Sequence, residues 1–491
     1  MSGWRTLWIL VLATAVNLGC EADPGILLAA RDSTADEQPD LTLVARLVQI
    51  TDTHVVDEES PARFPGANAL ASSAWRPQES YSAQILDGII RTVNRIHAGG
   101  RTVDFLIHTG DACDNAQGNE LGWVLADLDG GTIDPLTGPD DRPADERPAA
   151  ELDPHAPFQA QGLYRQGVHG DLPSIPWYIL LGNHDVHGIG VFPIYERADG
   201  HRVAPLPLPL RPGWLLPLEL DPVADETHGR ITPADPGPPT LLELPEPVTP
   251  NPARAYFSKA EFIDALFESA TEPTGHGFAG ATDGHTWYSV SPTAGLRLIG
   301  LDTTDRTARL AGQLYHDGAL SRAQRDWLRG ELDAAVARDE LVIVASHHPT
   351  QAVYSGYGVE VEGEELRALL AACPNVVLHV AGHKHRNRVI DRGGYLEIET
   401  CSTLDWPEEG RLVEVWRAAD GQIVITYEMF SHLNDTLPPV GDDPLRGLRE
   451  VAHELARTDK SAAARRLGLD ADESEPAGTS TDREGHYILS R

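Results

Sequence analysis

The sequence predicts an α/β protein, and two observations carry that prediction. Five apolar, β-branched runs each end abruptly in Asp, His or Asn, and helical periodicity separates some of them. The runs are Leu43–Ile50 before Thr51-Asp52-Thr53-His54, Val103–His108 before Gly110-Asp111, Ile175–Leu181 before Gly182-Asn183-His184-Asp185, Leu341–Ala345 before Ser346-His347-His348-Pro349, and Val376–Val380 before Gly382-His383-Lys384-His385. Runs of this length with few internal charges read as buried strands. Ile85, Ile89, Val93 and Ile96 recur at helical spacing. Trp327, Leu328, Leu332, Ala335 and Val336 do the same after a cap at Ser321, and a short helix is expected over Glu364 to Ala372. In α/β folds ligands gather beyond the carboxyl ends of the strands, which is where all five polar clusters fall.

Trp287–Val290 and Leu296–Leu301 read as further strands, and Leu412–Arg417 with Ile423–Met429 as a hairpin turning near Asp420-Gly421. Together these are expected to form a second sheet. Two stretches interrupt the plan: Leu121 to Asp171, rich in Asp, Pro and Gly, and Gly188 to about Gly284, Pro-heavy at Leu206-Pro207-Leu208-Pro209. Loops this long tend to be functional, so residues 121–171 and 188–284 read as insertions framing a site and selecting its substrate, within a domain covering 41–435. Residues 436–491 read as a C-terminal extension, helical from Leu448 to Leu467, with a polar tail.

With 41% hydrophobic and 23% charged residues, the 491-residue chain is composed like a soluble globular protein. Asp and Glu number 74 against 39 Lys and Arg, a net charge of −35 that argues against binding long nucleic acids or anionic membrane surfaces. Cys20, Cys113, Cys373 and Cys401 are too few for a disulfide framework and lack zinc-module spacing; a Cys373–Cys401 pair stays open.

Arg5 precedes an apolar run, Leu7 to Val16, that is too short to span a bilayer and is built like a signal-peptide core. It ends at Asn17-Leu18-Gly19-Cys20, which resembles a bacterial lipoprotein signal in which the Cys is lipidated, although Asn17 stands where that signal usually has Leu. Cleavage at a nearby small residue, leaving a soluble exported protein, is the alternative. Either reading places the protein in the bacterial cell envelope or periplasm, and in the first a lipid on Cys20 is its one membrane attachment. Residues 21–40 read as an acidic linker.

Asp-x-His (Asp52, His54), Gly-Asp-x-x-Asp-Asn (Gly110 to Asn115), Gly-Asn-His-Asp (Gly182 to Asp185), His-x-Pro at His347 and Gly-His-x-His (Gly382 to His385), in this order, resemble the calcineurin-like metallophosphoesterase superfamily. The resemblance spans roughly Leu43 to Arg386 and implies a four-layer α/β/β/α sandwich. It also implies a two-metal centre in which Asp52, His54 and His385 hold one ion, Asn183, His347 and His383 hold the other, and Asp111 bridges them. Imidazole, carboxylate and amide oxygen suit divalent manganese, iron or zinc. Two such ions would share a hydroxide that attacks a phosphate ester. His184 would then face the substrate as a catalytic group, with Asp185 orienting its imidazole. Asp114 stands where the purple acid phosphatases of this superfamily carry a metal-binding Tyr, and is expected to hold a ligand histidine in one tautomer.

A looser resemblance, through Asp114-Asn115-Ala116-Gln117, Asn119-Glu120-Leu121, Asp127 to Gly131 and Gly275-His276-Gly277-Phe278, is to a bacterial family of exported metallophosphoesterases; it favours export and names no substrate. The expected activity is hydrolysis of a small phosphomonoester or phosphodiester. The four positive charges of two ions outweigh the carboxylates of Asp52 and Asp111, so an acidic surface does not repel a small phosphoester from the centre. The rival is a non-catalytic surface binding protein on the same fold, against which the complete ligand set and His184 count. Oligomeric state is not legible. Of the neighbouring residues, His348, His187 and Arg386 read either as substrate contacts or, at least as readily, as packed or solvated side chains, His379 as core and Cys113 as a buried thiol.

Overall fold

Two six-stranded sheets organise the chain, built from β1 (Leu41–Ile50), β2 (Phe105–His108), β3 (Trp177–Ile179), β4 (Tyr288–Val290), β5 (Leu296–Gly300), β6 (Leu341–Ala345), β7 (Val376–Ala381), β8 (Arg388–Asp391), β9 (Leu396–Glu399), β10 (Glu409–Ala418), β11 (Ile423–Ser431) and β12 (Glu484–Leu489). These are seen in a computed structural model that describes residues 41–63, 74–138, 152–211, 214–225, 248–281, 284–306, 315–354, 361–433, 443–459 and 476–489. The apolar N-terminal run, Cys20, the acidic linker and the far end of the C-terminal helix expected to reach Leu467 lie outside the described residues.

The first sheet runs β12-β11-β10-β1-β2-β3 and the second β4-β5-β6-β7-β9-β8. All five strands that end in polar clusters are present, three in the first sheet and two in the second. The expected hairpin, β10 with β11, does not join the second sheet. It pairs antiparallel beside β1 in the first, with Leu47 opposite Val413. Periodicity along a strand defines its two faces but carries no information about which neighbour it pairs with, and this pairing was therefore invisible.

Alternation along the strands separates two apolar layers. Leu341, Ile343 and Ala345 point into the core shared with Leu47, Ile50, Phe105 and Ile107 of the first sheet. Val342 and Val344 point the other way, into a second core with Leu328, Leu332, Leu366 and Leu370. Those four come from α4 (Arg322–Ala337) and α5 (Gly363–Ala372), while Ile89, Ile90 and Val93 of α1 (Ser82–Ala98) join the first core. The result is the α/β/β/α sandwich. The Ser321 hydroxyl accepts from Gln324 N, as its position before the helix suggests.

The two interrupting stretches hold regular structure. Gly118–Asp129 is α2, with a reciprocal capping box between Gln117 and Glu120 and left-handed Gly130 as its stop. Lys259–Phe267 is α3, capped by Ser258 and Glu261. A three-stranded sheet of Tyr195–Glu196, Arg202–Arg211 and Trp214–Leu220, with Arg202–Arg211 in the middle, occupies the Pro-rich text. Composition obscured these elements because Asp, Pro and Gly cluster between them.

Buried polar side chains of α1 find partners in the first of these stretches: Gln84 Nε2 donates to Pro154 O (2.6 Å) and Asn94 Nδ2 to Gly162 O (2.8 Å). The helix α6 (Arg446–Asp459) is fastened by His453 Nδ1 on Glu408 Oε2 (2.6 Å), an oxygen that His432 Nε2 also meets at 3.0 Å.

Candidate metal centre

Register aligns the strand ends that carry the polar residues. Ile50 pairs with His108 and His108 with Ile179, so Asp52, Asp111 and Asn183 leave the first sheet side by side. Ala345 pairs with Val380, so His347 and His383 leave the second sheet together. The loops are then stitched to one another: Asp52 N donates to Gly110 O, His54 N to Asp111 O and Gly382 N to His347 O, at 2.9–3.0 Å. Two motif glycines allow this closeness. A Cβ on Gly182 would lie 2.1 Å from Asp111 Oδ1, and one on Gly382 would lie 2.0 Å from Thr51 Oγ1.

Asp52, His54, Asp111, His383 and His385 all adopt positive φ, between 42° and 68°. Such conformations cost about 1–3 kcal/mol each in a residue other than glycine. Strand pairing and loop stitching hold them, and they turn the side chains inward.

Seven side chains thereby converge. His385 Nε2 lies 3.1 Å from His54 Nε2 and 3.1 Å from Asp52 Oδ1. His347 Nε2 lies 3.1 Å from both Asp111 Oδ2 and Asn183 Oδ1. Between the two groups, His54 Nε2 and Asp111 Oδ2 are 3.9 Å apart. His383 Nε2 is buried with no hydrogen-bond partner among the described residues, and its ring lies 5.2 Å from that of His347.

The partners of the other ring nitrogens settle the tautomers. His347 Nδ1 sits 2.9 Å from Thr109 O, which can only accept, so Nδ1 carries the proton. His54 Nδ1 faces Asp114 Oδ1 (2.9 Å) and His385 Nδ1 faces Asp405 Oδ2 (2.7 Å), both carboxylates. In the neutral rings all three Nε2 atoms are therefore lone pairs, aimed at each other and at carboxylate or amide oxygens about 3 Å away. Acceptors crowded against acceptors need a cation. Without a metal, protons supply it: burial opposes charge on His347 and His385, but Asp111 and Asp52 overcome it and push them up to about 9 and about 10. His54 is pushed down to about 4, by burial first and then by Arg76 and His184.

His184 is buried, its Nδ1 on the Asp114 carbonyl (2.6 Å) and its ring edge-on to His54 at 4.6 Å. Asp185 does not orient it. Its two oxygens accept from Cys113 N (3.0 Å) and Gly182 N (2.8 Å), so it braces the loop that carries Asn183. Adjacency in sequence suggested the pairing, but the turn points consecutive side chains in different directions.

His348 lies beside His347 and His383, yet Thr303 Oγ1 (2.8 Å) and His316 O (3.1 Å) occupy both its nitrogens. His379 bonds Ser346 within the second sheet, and Arg386 directs Nε to Glu399 Oε2 (2.8 Å). Cys113, Cys373 and Cys401 are free thiols. His276, from the looser resemblance, stacks on Trp177 with ring centroids 3.4 Å apart and contributes to packing.

Sequence reasoning missed a charged layer behind His54 and His385. Asp114 pairs with buried Arg63 and Arg76, and Asp405 with Arg76. Burial opposes the charge on Asp114, but Arg63 and then Arg76 hold it well below the usual carboxylate range. Neither arginine lies at the end of a strand, so position gave no signal.

Residues 45–209 match the model of the calcineurin-like phosphoesterase family, a stretch that contains the first three polar clusters. No curated protein sequence matches the chain. Solved structures similar to it include a dimetal phosphatase from Danio rerio, at 14% identity over 82% of this chain and 100% of that one, TM-score 0.42. Another is a Thermus thermophilus sulfate thiohydrolase in complex with glycerol, at 11% identity over 85% of this chain and 61% of that one, TM-score 0.34. The family match over β1 to β3 falls on a sandwich with polar clusters at its strand ends, so residues 45–209 carry the calcineurin-like phosphoesterase match, that of a phosphoric ester hydrolase domain.

Proposed function

We propose that this protein is an exported hydrolase of a small phosphomonoester or phosphodiester. In this reading Asp52, His54 and His385 hold one divalent ion, Asn183, His347 and His383 hold a second, and Asp111 is shared. The observation that carries it is the meeting of lone pairs: His54 and His385 oppose Nε2 to Nε2 at 3.1 Å while their Nδ1 atoms face carboxylates. The family implies two divalent ions, and this donor set suits manganese, iron or zinc.

When bound, such a pair polarises a phosphoryl oxygen, acidifies water and offsets charge in an in-line displacement. The remaining work falls to the chain. Asn183 turns Oδ1 inward because its Nδ2 donates to Gly190 O (3.0 Å). Gly190 also makes room for His184, since a Cβ there would lie 2.2 Å from His184 Nε2. With Nδ1 fixed on Asp114 O, His184 has Nε2 to bind a phosphoryl oxygen or to protonate the leaving group. Export rests on Arg5 and the Leu7–Val16 run, with Cys20 as the residue to carry lipid, and residues 121–171 and 188–284 are the segments to select substrate.

Metal analysis combined with turnover of a chromogenic phosphomonoester and a phosphodiester tests this reading. Two ions per chain with turnover of either ester are expected. Two ions with no turnover across a broad phosphoester panel, unchanged by His184→Ala, would make it a binding protein instead. Mass spectrometry of the mature N-terminus decides between a lipidated Cys20 and plain cleavage.

A further inference from the structure

The two sides of the centre are supported in different ways. His347 is oriented by a backbone carbonyl, Thr109 O, and Asn183 by another, Gly190 O. His54 and His385 are oriented by carboxylates, Asp114 and Asp405, which arrive from separate loops after β2 and β9. Those two carboxylates meet on one side chain. Arg76 Nη1 donates to Asp114 Oδ1 at 2.9 Å and Arg76 Nε to Asp405 Oδ1 at 2.8 Å, with the guanidinium only 3% exposed.

We infer that Arg76 is the positioning residue for the ion held by Asp52, His54 and His385, setting both of its imidazoles through Asp114 and Asp405. The inference rests on the two-ion reading above.

Geometry specifies an arginine. The planar guanidinium offers donors in a fixed fork, so one group sets the distance and angle between two carboxylates; an ammonium is a single point and cannot do both at these distances. A carboxylate on Nδ1 fixes the ring and raises the basicity of Nε2, and losing such a partner typically costs about 10–100-fold in metal affinity. Arg76 is itself held. Its backbone N donates to Glu79 Oε2 (2.8 Å), and Arg63 ties Glu79 to Asp114, so the fork cannot swing away from the two loops. Gln78 Nε2 adds a bond to Asp405 Oδ1 (3.1 Å). Among the described residues, the side chains of Asn183, His347 and His383 make no hydrogen bond to Arg76, Asp114 or Asp405.

The test uses the full chain, stripped of metal and titrated with Mn(II), following stoichiometry by calorimetry and the paired or isolated state of the ions by electron paramagnetic resonance. Wild type should bind two ions and give a spin-coupled spectrum. Arg76→Gln and Arg76→Lys should lose about 10–100-fold in affinity at one site only, and at one equivalent of Mn(II) show an isolated ion. Asp405→Asn, at a position 26% exposed, should weaken the same site and decides the matter if the Arg76 variants do not fold.

Arg254→Gln is the control, because Arg254 is equally buried and pairs with Asp57 (2.7 Å) away from the ligands; it should bind both ions as wild type does. Wild-type affinity at both sites in the Arg76 variants, parallel weakening of both sites, or the same loss in Arg254→Gln would overturn the role of Arg76 and leave the two-ion reading intact. A wild-type protein that binds no Mn(II), Fe(II) or Zn(II) would overturn both.

Discussion

The Asp52, His54, His385 side of the centre and the Asn183, His347, His383 side solve one problem with different materials. Each must hold its donor atoms inward. The first uses a buried ion-pair network of Arg76, Arg63, Asp114 and Asp405; the second uses main-chain carbonyls of Thr109 and Gly190. A carbonyl is fixed by the course of the main chain that supplies it, so the second side takes its geometry from the loops after β2 and β3. Carboxylates add charge, so the first side gains ligand basicity and depends on keeping its counter-ions.

Four results would break or sharpen that contrast. The largest effect is expected from Asp111→Ala, which removes the group common to both sides: both ions should be lost, and with them most of the rate acceleration, on the order of 10⁶-fold or more. His385→Ala should instead weaken mainly one ion. Equal metal loss in the two variants, measured by elemental analysis after dialysis, would remove Asp111 from the shared position.

His184→Ala should lower kcat by about 10²–10⁴-fold with both ions retained, and by less for esters with good leaving groups if His184 donates a proton. Retained kcat would assign it to packing.

Metal uptake should release protons, because His347 and His385 are protonated in the metal-free protein with values of about 9 and about 10. Apparent affinity should therefore rise with pH through neutrality and level off above those values. A calorimetric titration in buffers of different ionisation enthalpy measures the protons released, and none at pH 7 would contradict this account.

The smallest effect belongs to His453→Ala. It frees α6 from Glu408, should cost roughly 1 kcal/mol or slightly more in thermal or denaturant unfolding, and should leave both ions in place. Metal loss in that variant would extend the centre's support further than the ion-pair network.

Much of the centre was legible because strand ends and polar clusters coincide in the text. What escaped came from two sources. Asp185 was misassigned since neighbours in a tight turn diverge, and Arg63, Arg76 and Asp405 were missed since each acts across the fold and stands in no motif. The placement of β10 and β11 beside β1, and the helix α2 inside an Asp-rich stretch, escaped for a related reason: alternation and composition describe a segment, not its neighbours.

The sequence by itself determined the α/β class and the five strand ends that carry the seven candidate donors, because apolar runs and polar stops are local properties of the chain. Only the tertiary structure decided how the donors face one another. Holding Asp52, His54, Asp111, His383 and His385 at positive φ costs energy that no isolated loop would spend, and strand register with loop-to-loop hydrogen bonds supplies it. The proton positions followed from the same source, since a histidine's tautomer is set by whatever its other nitrogen meets, and those partners lie on different strands.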